Sequence, residues 1–121
     1  MRISHISAIT LVVGDMARSV KFYSKLGLSL VYGGPEADFT TFQAGEGCIN
    51  LIHGDPNKGW WGRVVLRVEG VDSLYDRLTE AGLEPEAPPR DAGWGERFFH
   101  LRDPDGHELS FAQLLGESVD T

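Results

Sequence analysis

Four histidines, three tryptophans and eighteen carboxylates are the side chains of this chain with the most evident chemistry. Their spacing restricts what that chemistry is. Ser73 and Cys48 have no base at a recognisable distance along the sequence, so no activated nucleophile is expected. Asp103 and Asp105 look like a catalytic carboxylate pair, but Asp103-Pro104-Asp105-Gly106 is a turn sequence and turn formation explains them. Gly33-Gly34-Pro35 lacks both the lysine and the helix that a phosphate cradle needs. Trp60, Trp61 and Trp94 offer flat faces suited to planar rings and cations, although core or dimer packing would use the same rings. Arg63 brings a permanent charge and a fork of donors. It reads either as a grip on a carboxylate or polarised oxygen of a ligand, which is favoured, or as the partner of Glu108. The acidic set Glu80, Glu84, Glu86, Asp91 and Glu96 is expected on a solvated face that also draws cations.

Eleven basic against eighteen acidic residues give a net charge of −7, which repels phosphate backbones and anionic membrane surfaces. No nucleic acid or membrane partner is expected. Cys48 is the only cysteine, so no internal disulfide can form. The Met1–Val20 segment has neither a continuous apolar core nor a cleavage pattern, and no apolar run approaches the roughly 18 residues of a membrane span. The chain is expected in the cytoplasm. At 121 residues it is the size of one domain.

The elements that must position these side chains recur. Ile6–Val13 alternates like a strand, Met16–Leu26 has helical spacing and Gly27 stops it, and strands are expected at Leu28–Tyr32, Phe39–Gln43 and Cys48–His53. Asp55-Pro56-Asn57-Lys58-Gly59 forms a seam. After it come a strand at Arg63–Glu69, a helix at Val71–Ala81 stopped by Gly82, and strands at Glu84–Glu86, Arg97–Arg102 and Glu108–Leu114. A shift of 55 places Val13 on Val68, Met16 on Val71 and Gly27 on Gly82. The predicted fold class is therefore α+β, with tandem βαβββ modules at 1–55 and 60–121 within one domain.

Two such units, opening on Val13-Gly14-Asp15-Met16 with Phe22-Tyr23 and Leu26-Gly27, and closing on Asp103-Pro104-Asp105-Gly106, resemble the glyoxalase/bleomycin-resistance/dioxygenase (vicinal oxygen chelate) superfamily. The Trp94-Gly95 pair ahead of the last hairpin resembles its bleomycin-resistance branch. The resemblance implies cupped mixed sheets that enclose a pocket, often in a homodimer. It implies that family metal ligands fall on Ala8, Asn50, Arg63 and Ser110. An alanine donates nothing and an arginine repels a cation, so no metal and no cofactor are expected. His5, His53 and His107 stand at odd offsets from those positions and so on the opposite strand face, while the face of His100 is undecided. Asn50 and Ser110 would supply a donor–acceptor pair for a polar ligand group. The resemblance also places Phe39 and Trp94 where stacking residues lie.

The ligand-binding set is thus Phe39, Asn50, Trp60, Trp61, Arg63, Trp94, Glu108 and Ser110. The expected function is metal-independent sequestration of a planar aromatic or cationic small molecule such as a bleomycin-like antibiotic. A metal-dependent lyase, isomerase or dioxygenase of the superfamily is one alternative, and a metal-free enzyme with Glu108 or Glu96 as its base is another.

Overall fold

A computed structural model describes residues 6–56 and 63–116. The chain divides into two compact units, residues 1–59 and 60–121. In the first, β1 (Ala8–Val13) leads into α1 (Met16–Lys25), followed by β2 (Ser29–Tyr32), β3 (Phe39–Ala44) and β4 (Gly47–His53). The sheet order is β1-β4-β3-β2, with β1 parallel to β4 and the other pairs antiparallel. The Asp15 carboxylate accepts the Arg18 N–H at 3.1 Å, which satisfies one of the donors that a helix start leaves open. Tyr23 and Phe42 pack at 5.9 Å beside Val13 and Leu51, all fully buried. Gly33 has φ of 79°, and a Cβ there would lie 2.3 Å from the Phe39 carbonyl oxygen; only glycine fits that close approach.

The second unit repeats the order: β5 (Arg63–Arg67), α2 (Val71–Glu80), β6 (Arg90–Asp91), β7 (Glu96–Arg102) and β8 (Glu108–Leu114). Here the sheet runs β5-β8-β7-β6, with β5 parallel to β8. No side chain of its own caps α2; the Gln113 side-chain carbonyl of β8 accepts the Val71 N–H at 2.9 Å and ties the helix start to the sheet. Tyr75 of α2 meets Phe99 edge-on at 5.5 Å, and Phe99 stacks on Phe111 at 5.0 Å. Phe99, Leu101, Leu109 and Phe111 therefore form the helix side of the sheet. By strand alternation Phe98, His100, Glu108 and Ser110 face the other way.

The expected strand at Glu84–Glu86 is absent, and the short β6 at Arg90–Asp91 takes its place. Pro85, Pro88 and Pro89 remove the ladder donors from the intervening stretch, leaving a single bond from the Glu86 N–H to the His100 carbonyl at 2.9 Å. Ile6 and Ser7 likewise precede β1 rather than joining it. The Arg97 guanidinium reaches Asp72 of α2 at 2.9 Å and Asp91 of β6 at 3.0 Å, holding this short strand in place. That hydrogen bonding keeps the Asp72 carboxyl below its usual range.

Strand registers bear out the internal repeat. Ala8 lies opposite Cys48 as Arg63 lies opposite Glu108, and Thr10 opposite Asn50 as Val65 opposite Ser110. The offset is 55 from Met16 to Val71 and 60 from Cys48 to Glu108, so the five additional residues fall between α2 and β8.

Candidate functional site

A cavity of about 260 Å³ opens on the helix-free face of the second sheet. Arg63 and Val65 of β5 line it, with Glu96, Phe98 and His100 of β7, Ser110 of β8 and Trp94 from the loop ahead of β7. Each strand contributes alternate residues, as a single sheet face requires.

One wall is a row of rings. The Trp94 indole stacks on Phe98 with centroids 6.1 Å apart and planes 22° apart, and Phe98 is followed by His100 at 5.1 Å. The Arg90 guanidinium lies 4.5 Å from the Phe98 ring centroid, within cation–π range. Trp94 is 73% exposed, and its indole N–H donates to Glu96 Oε1 at 2.8 Å, which fixes the ring despite its exposure. The other end is polar. Glu108 carries an almost buried carboxylate, bonded by Arg63 and also reached by Arg102 at 3.3 Å. Burial, and then the nearby Arg63 charge, hold the His100 imidazole below its ordinary pKa of 6.5, so it is neutral at pH 7.

Three expected site residues, Arg63, Trp94 and Ser110, meet at this cavity, and Glu108 joins it through its ion pair with Arg63. Phe39 and Asn50 belong to the first unit. Phe39 stands 6.4 Å from Tyr32, and the Asn50 amide is engaged on both sides, accepting from Thr41 at 2.7 Å and donating to Thr10 at 3.3 Å. Trp60 and Trp61 lie outside the described residues. Val65, Phe98 and His100 are lining residues that sequence reasoning did not place in the binding set, and Glu96 was read there as part of a solvated face or as the base of a metal-free enzyme. The signal for His100 was available: the turn between β7 and β8 pairs residues equidistant from Asp105, which sets His100 opposite Ser110. Phenylalanine at both 98 and 99 hid the alternation.

The residues at the family metal positions do not fit a cation. Ala8 has no donor atom, the Asn50 amide is spent on two threonines, and Arg63 is itself a cation. Among the described residues no three His, Cys, Asp or Glu side chains cluster in a way that would hold one, and no helix is long and apolar enough to cross a membrane.

Two four-stranded mixed sheets, each with one helix, match a known superfamily. The profile of the Glyoxalase/Bleomycin resistance protein/Dioxygenase superfamily matches residues 2–111, and the chain belongs to that superfamily. It is 32% identical to protein YraH of Bacillus subtilis strain 168, over 88% of this chain and 96% of that one. It is also 32% identical to a bleomycin resistance protein of Geobacillus stearothermophilus, over 85% of this chain and 92% of the other. Among solved structures, a bleomycin-binding protein complexed with bleomycin superposes with a TM-score of 0.75 at 22% identity, over 92% of this chain and 98% of that one. That last likeness establishes the fold.

Proposed function

We propose that this protein binds and sequesters a planar aromatic or cationic small molecule of the bleomycin kind, without a metal ion, as a cytoplasmic homodimer. The observation that carries the reading is Trp94: a large apolar ring, 73% exposed yet held in place by Phe98 and Glu96. A bare indole is costly to leave in water, and a flat ligand laid against it recovers that cost. Glu96 and the net charge of −7 favour a cationic guest. The 32% identity to a bleomycin resistance protein supports the same ligand class. At about 260 Å³ the cavity is slightly below the range of ~300–1,000 Å³ typical of sites for whole drug-sized molecules, so it suits the flat end of a longer one.

Calorimetric titration with metal-free bleomycin tests the reading. Trp94→Ala is expected to weaken binding by about 1–3 kcal/mol, the scale of a desolvated aromatic anchor. Unchanged affinity together with a lowered melting temperature would make the ring structural and remove the basis of the proposal.

A further inference from the structure

The floor of the cavity holds two polar side chains whose hydrogen-bonding capacity the protein leaves unused. Ser110 is only 5% exposed and lines the cavity, and its hydroxyl makes no hydrogen bond among the described residues. His100 faces it across the β7–β8 ladder, in direct register. The imidazole is 15% exposed, and the carboxylate nearest to it, Glu86 Oε1, stands 3.9 Å from Nδ1, beyond hydrogen-bond length. Both groups therefore have hydrogen-bonding capacity open to the cavity, where water or a ligand can take it up.

We propose that His100 and Ser110 form a recognition pair for an uncharged amide-type group, a carboxamide or lactam, carried on the flat ring that packs along Trp94 and Phe98. The assignment rests on the aromatic binding reading above and names the ligand group that reading leaves open. A neutral imidazole offers one donor and one acceptor, and a hydroxyl offers both. A carboxamide presents an adjacent C=O and N–H, which complements that pair in either orientation. The surrounding charges cancel: the carboxylates of Glu108, Glu86 and Glu96 stand against the guanidiniums of Arg63, Arg102 and Arg90, with Arg63 and Arg102 bonded to Glu108 and Arg90 to Glu86. A carboxylate ligand would find Arg63 and Arg102 already bonded to Glu108, and the Glu108 carboxylate itself close by. The spacing also suits one small ring with its substituent, since residues 98 and 100 on one strand face lie roughly 7 Å apart and their rings 5.1 Å apart.

Equilibrium dialysis with three probes sharing one ring tests the assignment: 2-naphthamide, 2-naphthoate and 2-methylnaphthalene. The amide is expected to bind about tenfold more tightly than either of the others, the scale of one or two buried hydrogen bonds. Ser110→Ala and His100→Phe should each narrow the preference for the amide over 2-methylnaphthalene from about tenfold to about twofold or less, whatever either change does to binding of the hydrocarbon itself. His100→Gln, which keeps a donor and an acceptor, should recover most of the loss. Equal affinity for all three probes, or tightest binding of the naphthoate, overturns the amide assignment and leaves the aromatic site standing. If no probe binds at all, both fail. Melting temperatures of the variants within a few degrees of the parent show that affinity changes are not changes in folding.

Discussion

The ion pair between Arg63 and Glu108 gives a prediction whose size follows from its surroundings. The Glu108 side chain is 6% exposed, whereas Arg63 and Arg102 are half-exposed. Removing the only partner of a buried carboxylate costs about 3–5 kcal/mol. In Arg63→Ala the second guanidinium, Arg102 at 3.3 Å, remains, and water can enter beside it, so the expected loss is about 1–2 kcal/mol. For a chain of this length that lowers the melting temperature by roughly 4–8 °C. Removing both arginines leaves the carboxylate stranded and should reach the full ~3–5 kcal/mol. Glu108→Gln instead leaves two cations that water solvates, and is expected to cost less than about 1 kcal/mol. The double variant Arg63→Ala/Glu108→Gln should therefore be more stable than the sum of its parts predicts, with a coupling of about 1–2 kcal/mol. Scanning calorimetry of the four-member cycle, with bleomycin affinity measured on each, is the assay. If Arg63→Ala melts with the parent but loses ligand affinity, Arg63 is a recognition residue and the structural account is refuted.

The pH dependence of stability should carry a His100 component of definite sign. Because burial and Arg63 hold its folded pKa below 6.5, its contribution is complete above about pH 6.5 and is lost as the pH falls through the folded value. The difference between parent and His100→Gln melting curves should appear only on the acid side of 6.5, and a flat difference down to about pH 5 would contradict this. Gly33→Ala should cost about 2 kcal/mol or more in denaturant unfolding, since both its φ of 79° and the Phe39 carbonyl oppose a side chain. Gly82→Ala, also at positive φ but with open space around it, should cost only about 1 kcal/mol. Protein purified without added metal should contain far less than one equivalent of Zn, Ni, Mn, Fe or Co by elemental analysis, and a stoichiometric metal that survives dialysis would overturn the metal-free reading.

Most of the fold was legible because its signals are local. Helix stops at Gly27 and Gly82, alternation through β1, β4 and β8, and the turn at Asp103–Gly106 each specify an element from a few neighbouring residues. The one misplaced strand shows where local reading ends. Glu84–Glu86 has the position of a strand in the repeat, but Pro85, Pro88 and Pro89 interrupt its donors, so the contact with β7 is a single bond from Glu86 until the ladder forms at Arg90–Asp91. Cavity-lining positions depend on pairing between distant segments: Arg63 and Ser110 could be placed from the turn motifs and Trp94 from the family resemblance, while the position of His100 follows from the β7–β8 register.

The internal repeat shows why chemistry collects in one unit. Asn50 and Ser110 occupy equivalent places, each between a parallel and an antiparallel neighbour. In the first unit those neighbours are Thr10 and Thr41, and the amide bonds to both, so the polar groups satisfy one another. In the second they are Val65, which offers nothing, and His100, which makes no hydrogen bond to Ser110 among the described residues. The same backbone frame thus carries a closed polar ladder once and an open one once. A closed ladder adds to stability and leaves less capacity for a ligand, the Asn50 amide keeping one N–H and one lone pair. An open one leaves its groups to water or to a guest, and the sheet that carries it is the one with Trp94 at the cavity wall.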